Sequence, residues 1–226
     1  MMRNIKMVVF DMAGTTVDEG NLVYKTLHKT LISNGIHCTL ADVLTQGAGK
    51  EKRNAIVDII SFLNAPITIE AIDQIFIQFL QELAEAYRNT IVFPQKNAES
   101  LFEILHQKNI LIVLNTGYDS VTAHSLLAKL NWEIGVTIDY LVTASDVING
   151  RPNPDMILLA MKQFEISDPS TVAKVGDSII DIEEGKNANC GLVVGITTGA
   201  HNTKQLASAE PDFIIDNLEE LLSYIQ

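Results

Sequence analysis

Ile5-Lys6-Met7-Val8-Val9-Phe10-Asp11-Met12-Ala13-Gly14-Thr15-Thr16 carries a short apolar run straight into an acidic residue and a Gly- and Thr-containing turn. A run of that length and composition reads as a buried strand. Asp11 then stands at the strand's C-terminal end, the edge of an open α/β sheet where ligands bind. The same grammar returns after Pro94. Helical spacing over Ala98 to His106 precedes the apolar run Ile110 to Leu114, and Val121 to Leu130 precedes Tyr140 to Thr143. A helix from about Pro154 to Phe164 leads to Thr171–Val175, and Ile180 to Ala188 leads to Leu192–Ile196. Phe213–Ile215 reads as a last strand and Leu218 to Tyr224 as a last helix. Strands alternating with helices predict an α/β fold with a Rossmann-like parallel sheet covered on both faces.

Between about Asn21 and Arg88 the pattern changes. Leu27, Leu31 and Ile32, then Ile56, Ile59, Ile60 and Leu63, then Ile72, Ile75, Phe76, Phe79, Leu80 and Leu83 recur at helical spacing, punctuated by Gly35, Gly47-Ala48-Gly49 and Pro66. The expected organisation is a core of residues 1–17 and 89–226 with an inserted all-helical cap of about four helices at 18–88.

The chain has 226 residues, long enough to bury roughly 70% of the surface its unfolded form exposes. Apolar residues at 47% and charged residues at 19% exclude disorder as the main state. Sixteen Lys plus Arg against 28 Asp plus Glu give a formal charge of −12, which disfavours nucleic acid and anionic lipid as partners. No apolar run approaches the roughly 20 residues of a membrane span, and no signal-peptide core precedes Asp11. Cys38 and Cys190 are far apart, so two reduced thiols and a cytoplasmic location are expected. Cys190, Trp132, Phe76 and Phe79 read as packing, Glu183-Glu184 as a solvated helix face, and the five histidines as surface or helix-face residues.

The polar residues at the strand ends form a set: Asp11, then Asn115-Thr116-Gly117, then Arg151-Pro152 in a loop, then Gly176-Asp177 with Asp181 four residues on. Taken singly, each has an ordinary reading as a turn, a helix cap or a solvated residue. Together on one sheet edge they give three carboxylates that repel one another unless a cation neutralises them. All-oxygen ligands select Mg²⁺ rather than zinc. Arg151 and the Thr116 hydroxyl suit a phosphate.

These residues resemble the four motifs of the haloacid dehalogenase superfamily: Asp11-Met12-Ala13-Gly14-Thr15-Thr16-Val17-Asp18, then Asn115-Thr116-Gly117, then Arg151-Pro152, then Gly176-Asp177-Ser178-Ile179-Ile180-Asp181. The resemblance covers essentially the whole chain. It implies that Asp11 is the nucleophile and carries an aspartyl-phosphate, and that Mg²⁺ binds the Asp11 carboxylate, the Ala13 carbonyl and Asp177. Asp181 would orient Asp177 or a metal-bound water, while Thr116 and Arg151 would hold the phosphoryl oxygens. Thr15, Gly117 and Tyr118 join the substrate-binding set.

Most phosphatases of the superfamily carry an acid-donating Asp where this chain has Ala13. That departure, with Thr116-Gly117-Tyr118 and Gly150-Arg151-Pro152, is similar to the phosphonoacetaldehyde hydrolase (phosphonatase) group, in which a cap lysine forms a Schiff base and phosphorus–carbon cleavage expels an enamine. The pattern Gly49-Lys50-Glu51-Lys52 places that lysine at Lys52, with Lys50 as competitor; the plain alternative is a solvated basic helix start. A Schiff-base lysine needs a lowered pKa, from desolvation or from a cationic neighbour, and Lys50 and Arg53 are the candidates for the latter. Ala55, Ala48 and Asn21 stand where the group has His, Met and Cys, so the chain looks phosphonatase-like with a changed cap. The expected ligand is a small phosphorylated or phosphonated metabolite, and the resemblance leaves room for a homodimer through the cap. Three alternatives stay open: a C–O phosphatase without the usual acid, a 2-haloacid dehalogenase, and a non-catalytic phosphometabolite-binding protein.

Overall fold

The computed structural model describes residues 2–226. In chain order it runs β1 (Met7–Asp11), β2 (Val17–Asp18), α1 (Leu22–Ser33), α2 (Leu40–Gly47), α3 (Lys52–Phe62), α4 (Ile69–Asn89), β3 (Phe93–Pro94), α5 (Ala98–Gln107), β4 (Leu111–Thr116), α6 (Ser120–Leu130), β5 (Tyr140–Thr143), α7 (Asp155–Gln163), β6 (Val172–Gly176), α8 (Ile179–Asn187), β7 (Leu192–Ile196), α9 (Thr203–Ser208) and β8 (Phe213–Ile215). Six strands form one parallel sheet in the order β5-β4-β1-β6-β7-β8. This is the α/β architecture that the strand–helix alternation predicts.

The sheet is buried on both faces, as continuous apolar strands require. In β1, Val8 and Phe10 enter one apolar cluster and Met7 and Val9 another. Phe10 meets Phe102 of α5 at 5.7 Å, and Phe102 meets Trp132 at 5.3 Å. Both neighbours of β1 run parallel to it, with Asp11 opposite Asn115 and Phe10 opposite Val175. That register brings Asp11, Asn115-Thr116 and Gly176-Asp177 to one edge. The chain turns to opposite sides of the sheet around β1, the arrangement that opens a ligand crevice beyond the strand ends.

Helices α1 to α4 lie between β2 and β3, which pair antiparallel as a two-residue ribbon, Val17 opposite Pro94 and Asp18 opposite Phe93. Their starts follow capping chemistry. Thr39 and Asp42 form a capping box at α2, Glu51 accepts the Arg53 and Asn54 N–H groups at α3, and the Thr68 hydroxyl accepts the Ala71 N–H at α4. Sequence reasoning missed the ribbon and α9. It also expected a helix at 218–224, where the chain makes a 3₁₀ turn over Leu218–Ser223.

The loop between α2 and α3 rests on the sheet edge. Gly49 has φ +73°, and a Cβ there would lie within 3.4 Å of the Ser178 side chain. A Cβ on Gly117 would stand 2.6 Å from the Lys50 carbonyl oxygen. Gly117→Ala should therefore push the helical insert off the crevice while the sheet keeps its packing. Steady-state kinetics against a turned-over substrate should show at least a roughly tenfold loss, about 1.4 kcal/mol of barrier, with little change in thermal midpoint. Unaltered kinetics would mean that the contact at Gly117 does not matter.

Candidate active site

Asp11 ends β1, and its carboxylate receives Arg151 Nη1 at 2.7 Å. Arg151 is held from every side. Its Nε meets Glu184 at 2.9 Å, its Nη2 donates to the Asn115 carbonyl and side-chain oxygens at 2.8 and 2.6 Å, and Nη1 also reaches the Gly49 carbonyl at 3.3 Å. Asn115 donates in turn to Glu184 at 2.8 Å. Lys174, fully buried in β6, lies 2.6 Å from Asn115 Oδ1, 2.9 Å from Asp181 and 3.3 Å from Glu184. Glu184 is thus a buried member of the site. The solvated face expected for Glu183-Glu184 fails at this residue, because α8 turns it under the sheet edge to meet two cations.

Asp177 follows β6 and accepts the Ala200 N–H at 2.5 Å. Ser178 caps α8 and donates to Asp181 Oδ2 at 2.5 Å, which points that carboxylate inward. Oxygens of Asp11, Asp177 and Asp181 lie within 4.8 Å of one another, all three residues buried. Their electrostatics diverge. Burial and the other two carboxylates push Asp177 well above the usual range. Burial and Asp181 raise Asp11 against the opposing pull of Arg151. Asp181 is pulled below its usual value despite burial, because Arg151 and Lys174 stand 3.0 and 2.9 Å away. Asp11 and Asp177 are the pair left short of positive charge, and an all-oxygen pair of that kind fits a divalent cation.

The remaining expected residues surround this cluster. Ala13 lies in the turn after β1 and bridges to Val17. Thr15 is fully buried, and its hydroxyl is without a partner among the described residues. Thr116 Oγ1 accepts the Tyr118 N–H at 3.2 Å, leaving its O–H to donate. Gly117 packs beneath the loop of the insert. Tyr118 is buried, with its hydroxyl 2.7 Å from that of Tyr87.

Lys52 opens α3 and is only 6% exposed. Its Nζ donates to the Lys50 carbonyl at 2.6 Å and lies 5.3 and 5.6 Å from the ring centroids of Tyr118 and Tyr24, the distances of cation–π contacts. Burial pushes its pKa down to about 8; Arg151 adds to the push, while Asp11, Glu51 and Glu19 oppose it. Lys50 instead pairs with Asp58 at 2.5 Å and Arg53 with Asp73 at 2.7 Å. The expected role of those two cations in lowering the Lys52 pKa is therefore corrected: each is already paired, and desolvation together with Arg151 does the work. His201 departs from the surface position expected of the histidines. It is buried, close to the Ile179 N–H at 3.0 Å and the Leu44 carbonyl at 3.3 Å. Glu19, Tyr24 and Tyr87 also line this region. Isolated polar residues in a helical stretch carry no spacing signal that would have found them.

A cluster of three buried carboxylates and a fixed guanidinium thus meet at one edge of the sheet. The family model for haloacid dehalogenase-like hydrolases matches residues 5–189, and the chain belongs to that family as an enzyme of the hydrolase class. Among curated relatives, the phosphonoacetaldehyde hydrolase of Latilactobacillus sakei subsp. sakei (strain 23K) is 32% identical over 97% of this chain and 94% of its own length. The phosphoglycolate phosphatase of Salmonella typhimurium is 26% identical over 98% and 92%. Among solved structures, a hydrolase from Pseudomonas syringae superposes with a TM-score of 0.86 at 21% identity, covering 97% of both chains. Among the described residues no helix is long and apolar enough to cross a membrane.

The electrostatics give a direct expectation. Lys52 should titrate near 8, well below a free lysine. Asp11→Asn removes an anion that favours the ammonium, so Lys52 should titrate lower still in that variant. The check is the pH dependence of the Lys52 side-chain carbon shifts by NMR. A midpoint near the ordinary lysine value would contradict the buried environment.

Proposed function

We propose that this chain is a Mg²⁺-dependent hydrolase that cleaves the phosphorus–carbon bond of a small phosphonoaldehyde, with phosphonoacetaldehyde as the first candidate. The observation that carries this reading is Lys52: a buried amine with its pKa at about 8, beside the nucleophile's pocket, when the neighbouring cations are tied to Asp58 and Asp73. An amine with that pKa is a competent nucleophile toward a carbonyl near neutral pH. The relatives named for phosphonoacetaldehyde hydrolysis support the same reading.

Lys52 as the free amine condenses with the aldehyde, taking up one proton and releasing water, and leaves a protonated imine that draws electrons from the adjacent carbon. The Asp11 carboxylate attacks phosphorus, the phosphorus–carbon bond breaks, and its electron pair enters the iminium to give an enamine. No alkoxide forms, so no oxygen needs the proton that an Asp at position 13 would deliver. Proton addition and hydrolysis of the enamine return Lys52, and water cleaves the aspartyl-phosphate to return Asp11. Asp11 and Asp177, with the Ala13 carbonyl, would hold Mg²⁺, which supplies charge neutralisation at the phosphoryl group when bound. Arg151 fixes the Asp11 carboxylate, and the Thr15 and Thr116 hydroxyls are the donors left for phosphoryl oxygens.

Borohydride added during turnover of phosphonoacetaldehyde should trap an adduct on Lys52, located by peptide mass spectrometry. Lys52→Arg and Asp11→Asn should each abolish phosphate release with the fold retained, and excess chelator should do the same reversibly. If Lys52→Arg keeps activity within roughly tenfold on phosphate esters and no adduct forms, the enzyme is a C–O phosphatase instead. Full activity in chelator would favour dehalogenase-type chemistry at Asp11.

A further inference from the structure

Glu19 is a buried carboxyl that the chemistry above leaves unused. It lies where the chain passes from β2 into α1 and is 5% exposed. Its Oε2 accepts the Val23 N–H at 2.9 Å and the Tyr87 O–H at 3.1 Å. Tyr87 Oη in turn meets Tyr118 Oη at 2.7 Å. Because Tyr87 gives its proton to the carboxylate, Tyr118 must give its own to Tyr87. The donors therefore point in one direction, from Tyr118 through Tyr87 to Glu19, and the Tyr118 ring is the surface against which Lys52 Nζ lies, 5.3 Å from its centroid.

Lys52 needs such a route. The ammonium must lose a proton before it can attack an aldehyde, and a side chain this buried has little direct path to bulk water. Its hydrogen-bond partner, the Lys50 carbonyl, accepts an N–H but cannot carry a proton away. We propose that Glu19 receives the proton that Lys52 loses, relayed through the Tyr118 and Tyr87 hydroxyls; this rests on the imine reading of Lys52. Lys52 Nζ lies over the Tyr118 ring without a hydrogen bond to its hydroxyl, so the ammonium passes one proton to Tyr118 Oη across one water. Tyr118 passes its own to Tyr87, and Tyr87 passes its own to Glu19 Oε2. The products are a neutral amine and a carboxylic acid, both phenols are restored, and no oxidation state changes.

The surroundings agree with those roles. Burial raises the Glu19 pKa, which suits a proton acceptor. Burial raises both phenols well above their usual value, so they act as neutral conduits. The charged and titratable groups facing Lys52 are Asp11 from β1, Arg151, Glu51 from the start of its own helix, Glu19, Tyr24 and Tyr118. Those facing Glu19 are Tyr87 from α4, Lys52 from α3, Tyr24 from α1 and Tyr118.

The test is the rate of borohydride trapping on Lys52 in a single turnover of phosphonoacetaldehyde, from about pH 6.5 to pH 9, for the unaltered protein, Glu19→Gln, Glu19→Asp and Tyr87→Phe. Glu19→Gln keeps the shape and loses the basic site; Tyr87→Phe breaks the relay without touching Glu19. Both should slow trapping roughly tenfold or more near neutral pH, and the deficit should shrink above about 8, where Lys52 is already the amine. Glu19→Asp should restore part of the rate. Equal trapping rates in all four proteins would overturn the relay and leave the imine intact. A loss of the same size at every pH would overturn it too, by making Glu19 a structural residue. If the unaltered protein forms no adduct, the imine reading fails and the relay with it.

Discussion

A buried imbalance of charge governs this molecule. Asp11, Asp177, Asp181 and Glu184 bring four carboxylates to one sheet edge, and Arg151 and Lys174 bring two cations. Arg151 divides its charge among Asp11 at 2.7 Å, Glu184 at 2.9 Å and Asp181 at 3.0 Å, Lys174 pairs with the latter two, and Asn115 locks the group together through its amide. Asp11 and Asp177 are left to share what remains. Isolated buried carboxylates are costly, and the energetic answer is either a bound proton or a bound divalent cation. The Arg151 guanidinium spends its donors on Asp11, Asn115, Glu184 and the Gly49 carbonyl. It therefore fixes the Asp11 carboxylate, and does so with a contact to the helical insert.

That contact ties chemistry to closure. Gly49 and Lys50 bring their carbonyls against Arg151 and Gly117, and the next turn of chain delivers Lys52 into the same space. The low dielectric that makes an unmatched Asp177 expensive also lowers the pKa of Lys52. Asp11, Asp177 and Lys52 thus share one buried environment.

The architecture was legible because it rests on short-range signals. Apolar runs of three to six residues, alternating with helical periods, gave the six strands of the sheet, and the polar residues at their ends gave Asp11, Thr116, Asp177 and Asp181. The loop residue Arg151 joined that polar set, whereas Lys52 came from motif resemblance, since nothing in its local spacing singles it out. Lys174 and Glu184 stayed hidden. Lys174 interrupts an apolar strand, and Glu184 sits in an acidic pair whose partner is half-buried, so only the register of β6 and the turn of α8 reveal that they face each other. Glu19, Tyr24 and Tyr87 were invisible for a similar reason: they meet through contacts spanning up to 68 residues of sequence. The 3₁₀ turn at 218–223 shows the reverse case, an apolar period too short to sustain an α-helix.

The most direct test of the charge account is calorimetric titration of the protein with Mg²⁺ near pH 6.5 in two buffers of different ionisation enthalpy. Without a cation, burial and the Asp11 and Asp181 carboxylates raise the Asp177 pKa well above its ordinary value, so proton and cation compete for that carboxylate. The account predicts proton release on binding, tighter binding as pH rises, and loss of both in Asp177→Asn. Heats identical in the two buffers, or undiminished Mg²⁺ binding by Asp177→Asn, would contradict it.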